Sequence, residues 1–295
     1  MSVVKLAILG VGLIGGSLGL CLKEKMGDKI FIGGYCRTQV SMDEALRLHA
    51  VDFVHDEVAK VVTDADIVFL SPPVLQIVPL VEQILPHLKP GAIITDAGST
   101  KGYIWERLQK ILPPNIYYIA GHPMTGREKS GVAAAKADLF RGKAYVIVDG
   151  TNAPPAAQTK LMEVLRHTEA NFLHLSMEEH DRSAAIISHI PHVAAAALVT
   201  LLADSSEESA AEKLIGGGFK DTTRIASSNA DMWADICLTN GEPIIKNIRR
   251  LQQILDTVAE DIETQNRPAL HAYFARAKES RDKSLLATGK IFDTN

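Results

Sequence analysis

The stretch Lys5–Leu20, KLAILGVGLIGGSLGL, decides the fold of this chain. It opens with the apolar run LAIL, which is typical of a buried parallel strand. Gly10, Gly12 and Gly15 follow in the spacing G-x-G-x-x-G, and the residues after them predict a helix. Strand, glycine turn and helix in this order are the context that a dinucleotide-binding fingerprint requires. The stretch therefore predicts the start of an α/β domain that binds a dinucleotide.

The three glycines have different tasks in such a turn. Gly10 allows the tight turn, Gly12 lets a pyrophosphate approach the backbone, and Gly15 lets the helix pack closely on the strand. The N-terminus of the helix offers N–H groups and a positive dipole end to the phosphates. The residues predicted to contact NAD or NADP belong to this turn and to two later strand ends: Gly10, Gly12, Leu13, Ile14, Gly15, Arg37, Ser71 and Pro72.

The end of the second predicted strand bears on the choice between NAD and NADP. A carboxylate there would bind the ribose hydroxyls of NAD, and a basic residue would accommodate the 2′-phosphate of NADP. Lys29–Tyr35 is followed by Cys36 and Arg37, with no carboxylate directly at the strand end. This favours NADP or the use of both, although Arg37 could instead stack beside the adenine. The preference stays open.

The composition is that of an ordinary globular protein and excludes several classes. A chain of 295 residues with 46% hydrophobic and 22% charged residues can form two domains with real cores. A net charge of −4 without any Lys/Arg run argues against nucleic acid as a partner. The scattered Cys21, Cys36 and Cys237 exclude a disulfide framework and suit the reducing cytoplasm. We expect no signal peptide before the first strand, and Val193–Ala203, the longest apolar segment, is too short to cross a bilayer.

The chain changes character after residue 175. Strands and helices alternate before this point, whereas helical periodicity dominates after it. We therefore expect a Rossmann-type, doubly wound parallel sheet at residues 1–175 and an all-helical domain at residues 176–295. One apolar stripe in the helical part consists of Ile244, Ile248, Leu251, Leu255, Val258 and Ile262.

Two polar motifs follow predicted strands, at the sheet edge where ligands bind in α/β proteins. The first is DAGSTK, which contains Ser99. The second is GHPMTG, which contains His122 and has Glu128 shortly after it. An imidazole at a strand end could act as a general base or polarise a hydroxyl group. The alternative is a histidine that only hydrogen-bonds its own loop.

Two further motifs lie in the helical part. SHIPH contains His189 and His192, with Pro191 expected to interrupt the helix between them. A metal site with the nearby His180 and Asp181 is conceivable, but no other ligand motif accompanies them, and we expect no metal.

The second of these motifs is GGGFKDTTR, whose glycines are expected to break a helix and which ends at Arg224. The guanidinium of Arg224 suits a carboxylate, and Trp233 follows nine residues later. The alternative is a glycine hinge with a surface arginine.

In this order, DAGSTK, GHPMTG with EKSG, SHIPH and GGFKDTTRIA resemble the prephenate/arogenate dehydrogenases of tyrosine biosynthesis, over nearly the whole chain. The resemblance implies an oxidative decarboxylation, in which prephenate and NAD(P)+ give 4-hydroxyphenylpyruvate, carbon dioxide and NAD(P)H. It also implies a homodimer formed through the helical region, with no nucleic-acid or membrane partner.

The resemblance assigns roles to individual residues. His122 matches the histidine that accepts a hydrogen bond from the substrate's ring hydroxyl, and Ser99 matches a serine that orients both groups. Arg224 matches the arginine that pairs with a substrate carboxylate. The other positions that match substrate-binding residues are His189, His192, Glu128 and Trp233.

Departures from the family pattern leave three properties open. Arg127 stands where the family commonly has a small residue, which leaves prephenate and arogenate both possible as substrates. Cys36 stands where NAD-using members frequently have an acidic residue, which leaves the choice between NAD and NADP open. Inhibition by tyrosine is also open.

A β-hydroxyacid dehydrogenase using Lys220 as acid/base is a rival interpretation, but it leaves His122 unexplained. A silent NAD(P)-binding sensor would not need Ser99, His122 and Arg224 together.

Overall fold

The computed structural model describes residues 3–126, 131–206 and 208–292. Nine strands are present in these residues: β1 Val4–Leu9, β2 Ile30–Tyr35, β3 Phe53–His55, β4 Ile67–Leu70, β5 Ile93–Asp96, β6 Tyr117–Ile119, β7 Gly121–Pro123, β8 Ala144–Val148 and β9 Asn171–Leu175. The helices before residue 176 are α1 Leu13–Met26, α2 Gln39–Arg47, α3 Val58–Val62, α4 Val74–Ile84, α5 Gly102–Leu108 and α6 Pro155–Leu165.

Six parallel strands form the main sheet in the order β3-β2-β1-β4-β5-β6. This is the strand order of a doubly wound dinucleotide-binding domain, and it confirms the predicted fold class. The apolar run of β1 is continuous because both faces of the sheet are covered. Leu6 and Ile8 pack into the core on one face, whereas Ala7 and Leu9 pack into the core on the other.

A second, three-stranded sheet holds the predicted histidine. β8 and β9 do not extend the main sheet; they pair with each other in parallel, and β7 pairs antiparallel with β8. The GHPMTG motif follows a strand, β6, as predicted, and its first three residues form a further strand, β7, with His122 opposite Val146. Three residues are too few to show a strand periodicity in the sequence, and the same is true of β3.

The helices after residue 176 are α7 Met177–Ala184, α8 Ile190–Ala203, α9 Glu208–Glu212, α10 Gly217–Thr223, α11 Ala230–Thr239, α12 Gly241–Glu263 and α13 Arg267–Phe292. The chain divides into two compact units, Met1–Gly241 and Glu242–Asn295. In the second unit α12 carries the predicted apolar stripe, and α13 follows after a short turn.

Pro191 does not interrupt its helix, contrary to expectation. One turn of π-helix, Ala185–His189, joins α7 to α8, and Pro191 lies in the first turn of α8. Directly before the proline, the N–H of Ile190 donates to the carbonyl oxygen of Ala185, five residues back, and this wider turn accommodates the proline ring. The resulting continuous helix, Met177–Ala203, is also long and apolar enough to cross a membrane by composition alone, unlike the shorter segment considered from the sequence.

Candidate active site

The glycine turn between β1 and α1 has the geometry that its spacing predicts. Gly10 adopts a positive φ of 100°, and its carbonyl oxygen accepts a hydrogen bond of 2.8 Å from Ser71 Oγ at the end of β4. A Cβ on Gly15 would lie 2.5 Å from that same carbonyl oxygen and 2.6 Å from Ser71 Oγ. A Cβ on Gly12 would meet no atom within 4 Å. The turn is therefore closed by protein at Gly15 and open at Gly12, as a pyrophosphate site requires.

This difference predicts opposite behaviour for two matched substitutions. Gly15→Ala should lower the free energy of unfolding by about 1–3 kcal/mol, because its methyl group overlaps the backbone of Gly10. Gly12→Ala should stay within about 1 kcal/mol of the parent, yet weaken NAD(P)+ binding about tenfold or more, because its methyl group occupies the open side of the turn.

Urea denaturation and cofactor titration, run on both variants, measure the two effects separately. Equal loss of stability in the two variants would contradict the assignment of Gly12 to the ligand side of the turn.

The other predicted cofactor residues surround this turn. Leu13 and Ile14 are half-buried in the first turn of α1, and Ser71–Pro72 follow β4, the strand beside β1. Arg37 is exposed just beyond the end of β2. Because β1 lies between β2 and β4, these residues meet at the carboxyl edge of the sheet, where the strand order reverses.

A fully buried ion pair lies beside this edge, at the end of β5. Lys101 Nζ donates to Asp96 Oδ2 and, at 2.7 Å, to the carbonyl oxygen of Gly121. The Asp96 carboxylate also accepts hydrogen bonds from Tyr118 Oη (2.8 Å) and from the N–H of Gly98 (2.9 Å). A lysine without solvent contact needs such a complete set of partners. The pair fixes the chain directly before His122.

His122 is buried and contacts a second histidine from the helical part. Its Nδ1 lies 2.8 Å from Nε2 of His180, and Nδ1 of His180 lies 2.8 Å from Oδ1 of Asp181. The Asp181 carboxylate also accepts from the backbone N–H groups of Lys101 (2.9 Å) and Gly102 (2.8 Å). The three side chains form a continuous row from α7 to β7.

Electrostatics keep this row in defined charge states. Burial lowers the pKa of His122 well below its ordinary value of 6.5, and the nearby His180, Lys101 ammonium and His189 lower it further. Burial alone would raise the pKa of Asp181, but hydrogen bonds from His180 and from the two backbone N–H groups outweigh it, and the pKa is lowered. At neutral pH the site therefore holds a neutral His122 imidazole and an ionised Asp181.

The SHIPH histidines lie beside Trp233 of α11. The His192 ring stacks on the indole with 3.7 Å between centroids, and His189 meets it edge-on at 6.0 Å. His192 Nδ1 lies 2.9 Å from the carbonyl oxygen of Ser188. The pKa of His192 is lowered by burial and, in part, by the positive charge of Arg224. The structure thus brings His189, His192, Trp233 and Arg224 into one neighbourhood.

His189 is held by an amide that the sequence analysis did not select. Asn240 Nδ2 donates to the carbonyl oxygen of Asp181 at 2.8 Å and lies 3.1 Å from His189 Nδ1. Burial lowers the pKa of His189 to about 4. Asn240 therefore ties the SHIPH histidine to the backbone of the row that ends at His122.

The structure does not test the roles predicted for Ser99 and Glu128. Ser99 is half-buried in a segment that is anchored by Thr100, whose hydroxyl donates to Thr239 Oγ1 at 2.9 Å. Within the described residues no hydrogen bond joins Ser99 to His122, so its role stays a prediction. Glu128 lies outside the described residues.

Lys220, which the β-hydroxyacid interpretation needs as acid/base, is exposed on α10.

Four residues of the site were missed as functional candidates: Lys101, His180, Asp181 and Asn240. For Lys101 a signal existed, because it closes the DAGSTK motif. His180 and Asp181 are candidates only for metal ligands in the sequence, but here His180 hydrogen-bonds both Asp181 and His122. Nothing in the sequence distinguishes Asn240 from a helix-terminal asparagine.

Comparison with known proteins decides the family. Residues 18–174 match the family model for the nucleotide-binding domain of prephenate dehydrogenase, and residues 176–276 match the model for its dimerization domain. The chain belongs to the prephenate dehydrogenase family.

Individual relatives agree with this membership. The prephenate dehydrogenase of Bacillus subtilis is 35% identical over 93% of this chain and 74% of its own length. The structure of A. aeolicus prephenate dehydrogenase in complex with hydroxyphenyl propionate and NAD+ is 32% identical, with a TM-score of 0.88 over 96% of this chain and 99% of that one. The structure of Synechocystis arogenate dehydrogenase is 29% identical, with a TM-score of 0.81 over 95% of this chain and 99% of that chain. Members of the family thus include enzymes named for either substrate.

Proposed function

We propose that the chain catalyses the oxidative decarboxylation of prephenate to 4-hydroxyphenylpyruvate and carbon dioxide, with NAD(P)+ as the oxidant. The observation that carries the proposal is the buried, neutral imidazole of His122, held beside the carboxyl edge of a dinucleotide-binding sheet. Family membership and the NAD+ complex of the A. aeolicus relative support the same conclusion.

The chemistry needs a base that is not charged at the start. The hydroxyl-bearing carbon of prephenate must lose a hydride while its oxygen loses a proton, and only an unprotonated imidazole can accept that proton. When bound, the nicotinamide ring supplies the hydride acceptor. Loss of the ring carboxylate as carbon dioxide then makes the product ring aromatic, which drives the reaction forward.

The residues of the glycine turn fit the cofactor, and those beside Trp233 fit an anionic substrate. The open side of Gly12 leaves room for the pyrophosphate. Arg224 supplies a positive charge for a substrate carboxylate, near His192. The indole N–H of Trp233 is buried and has no hydrogen-bond partner among the described residues, so it can serve as a further donor. We assign the ring hydroxyl to His122 and Ser99, and the side-chain end to Arg224, His189 and His192.

Arogenate is the second candidate substrate, because a structural relative is named for it. Absorbance of reduced nicotinamide, measured with prephenate and arogenate, each with NAD+ and NADP+, tests the proposal and resolves both preferences. Turnover in at least one combination, with one 4-hydroxyphenylpyruvate or tyrosine formed per reduced cofactor, is expected. Cofactor binding without turnover in any of the four would overturn it.

We also propose a cytoplasmic homodimer with its contacts in residues 176–295. Several apolar side chains of this region are uncovered in the single chain, including Leu201 and Leu214, which are 70% and 83% exposed. An apolar groove of about 360 Å³ lies between α8, α9 and α10. Uncovered apolar surface of this extent is typical of a subunit interface, and it accounts for the apolar character of Met177–Ala203. Sedimentation equilibrium should give twice the monomer mass of 32.0 kDa.

A further inference from the structure

The row Asp181–His180–His122 contains two side chains to which the proposed function gives no task. Asp181 and His180 are buried, yet neither matches a motif residue of the resemblance. Burying a carboxylate and an imidazole costs free energy unless their hydrogen bonds are complete, so their arrangement calls for a role.

The donors and acceptors of the row can be assigned from Asp181 outward. Its carboxylate accepts one backbone N–H on each oxygen and, with its lowered pKa, is ionised at neutral pH, so it accepts in all of its bonds. His180 Nδ1 must therefore carry the proton that it shares with Asp181. In a neutral His180 the other nitrogen, Nε2, has only a lone pair.

The same reasoning fixes the tautomer of His122. Its Nδ1 lies 2.8 Å from His180 Nε2, which offers only a lone pair, so Nδ1 must carry the proton. The proton of a neutral imidazole can occupy only one nitrogen, which leaves Nε2 of His122 unprotonated. Nε2 has no protein partner among the residues that the structure describes.

We propose that His180 and Asp181 are positioning residues that hold His122 in the tautomer with an unprotonated Nε2 and take over the proton that His122 accepts. The proposal rests on the proposed function, in which His122 Nε2 receives the proton of the substrate hydroxyl. To that function it adds which residues select the tautomer of His122 and where the positive charge of the accepted proton lies afterwards.

The proton movements balance along the row. The substrate O–H bond breaks as the bond from hydrogen to His122 Nε2 forms. The Nδ1–H bond of His122 breaks as a bond to His180 Nε2 forms. The positive charge then lies on the His180 imidazolium, 2.8 Å from the Asp181 carboxylate, and the proton returns by the same path to water before the next turnover.

The surroundings favour this destination over His122 itself. The charged or titratable groups that influence His122 are His180 from α7, Lys101 from the segment before α5, and His189 from the π-helical turn. The Lys101 ammonium repels a positive charge on His122, although its own carboxylate partner Asp96 reduces this effect. His180 instead lies 2.8 Å from the Asp181 carboxylate, whose negative charge directly attracts a positive charge on the His180 ring.

The tautomer can be observed without any turnover. In 15N-histidine spectra of the wild-type protein with NAD+, the His122 signals, assigned by their loss in His122→Asn, should show a proton on Nδ1 and none on Nε2 at pH 7.5. A proton on Nε2 of His122 would overturn the proposal, because it would mean that His180 donates to His122. This measurement stands whether or not the protein turns over prephenate, so its failure is distinct from failure of the proposed function.

His180→Gln tests the catalytic consequence. Glutamine keeps a polar group near the position of Nε2 but cannot carry the transferred proton. We expect kcat to fall about 100-fold, with the KM for prephenate changed by less than about threefold, because only proton transfer is affected. A kcat within about twofold of the wild type would overturn the proposal.

A matched control is His174→Gln. His174 is also paired with a carboxylate, Asp149 at 3.0 Å, but on the half-exposed surface of β9. His174→Gln should therefore leave kcat and KM for prephenate unchanged. Unaltered circular dichroism and NAD+ affinity show that His180→Gln is folded; if it does not fold, the wild-type spectrum alone decides.

Discussion

Replacing His122 with asparagine should lower kcat for prephenate about 1,000-fold while NAD+ affinity changes little. A positioned general base contributes about 10²- to 10⁴-fold to the rate, and asparagine cannot accept a proton at neutral pH. The cofactor turn is formed by β1, α1 and β4, none of which contains His122, so binding of the cofactor should persist. Steady-state kinetics and a fluorescence titration with NAD+ measure the two quantities.

The control for this variant is His87→Asn. His87 is exposed after α4 and has no part in the site. Its kcat should equal that of the wild type. If His122→Asn kept more than about a tenth of the wild-type kcat, another group would have to accept the proton, and the role given to His122 would be wrong.

Replacing Lys101 with methionine should reduce the free energy of unfolding by about 3–5 kcal/mol. Removing one partner of a buried ion pair leaves an uncompensated charge in a low dielectric. Lys101 and Asp96 are both without solvent contact, and Lys101 also donates to the carbonyl oxygen of Gly121. Methionine has a similar length and fills the volume, so the loss reports the charge and the hydrogen bonds rather than a cavity. Urea denaturation monitored by tryptophan fluorescence measures it.

Lys60→Met is the surface control for that change. Lys60 pairs with Glu57 at 2.9 Å, but both side chains are more than half exposed, so the change should stay within about 0.5 kcal/mol. A loss below about 1 kcal/mol for Lys101→Met would mean that the buried pair is not the anchor of the chain before His122.

The nucleotide half of the fold could be predicted because its signals are local. The LAIL run and the three glycines specify a strand, a turn and a helix within sixteen residues, Lys5–Leu20. The position of His122 near a strand end was also predictable. Its place in β7 was not, because that strand has three residues and exists only through pairing with β8, more than twenty residues later.

The partners of His122 depend on tertiary contacts, which no local pattern encodes. His180 lies 58 residues further along the chain and reaches His122 only because α7 packs against β8, the strand that pairs with β7. The burial of Lys101 was equally hidden, since a lysine is normally exposed and its pairing with Asp96 requires the turn after β5 to fold back. The sequence predicts an interruption at Pro191 because proline usually ends a helix, whereas a π-helical turn accommodates it here.

The dependence of kcat/KM on pH tests the central claim, a neutral buried base, most directly. Burial lowers the pKa of His122 well below 6.5, and protonation of His122 removes the base. Because a lowered pKa moves protonation to more acidic solution, kcat/KM for prephenate should be constant from about pH 8 down past 6.5 and fall only well below that value, in protein shown by circular dichroism to be still folded. An acid limb at or above pH 6.5 would contradict the account, since it would mean that the essential base titrates as an exposed group.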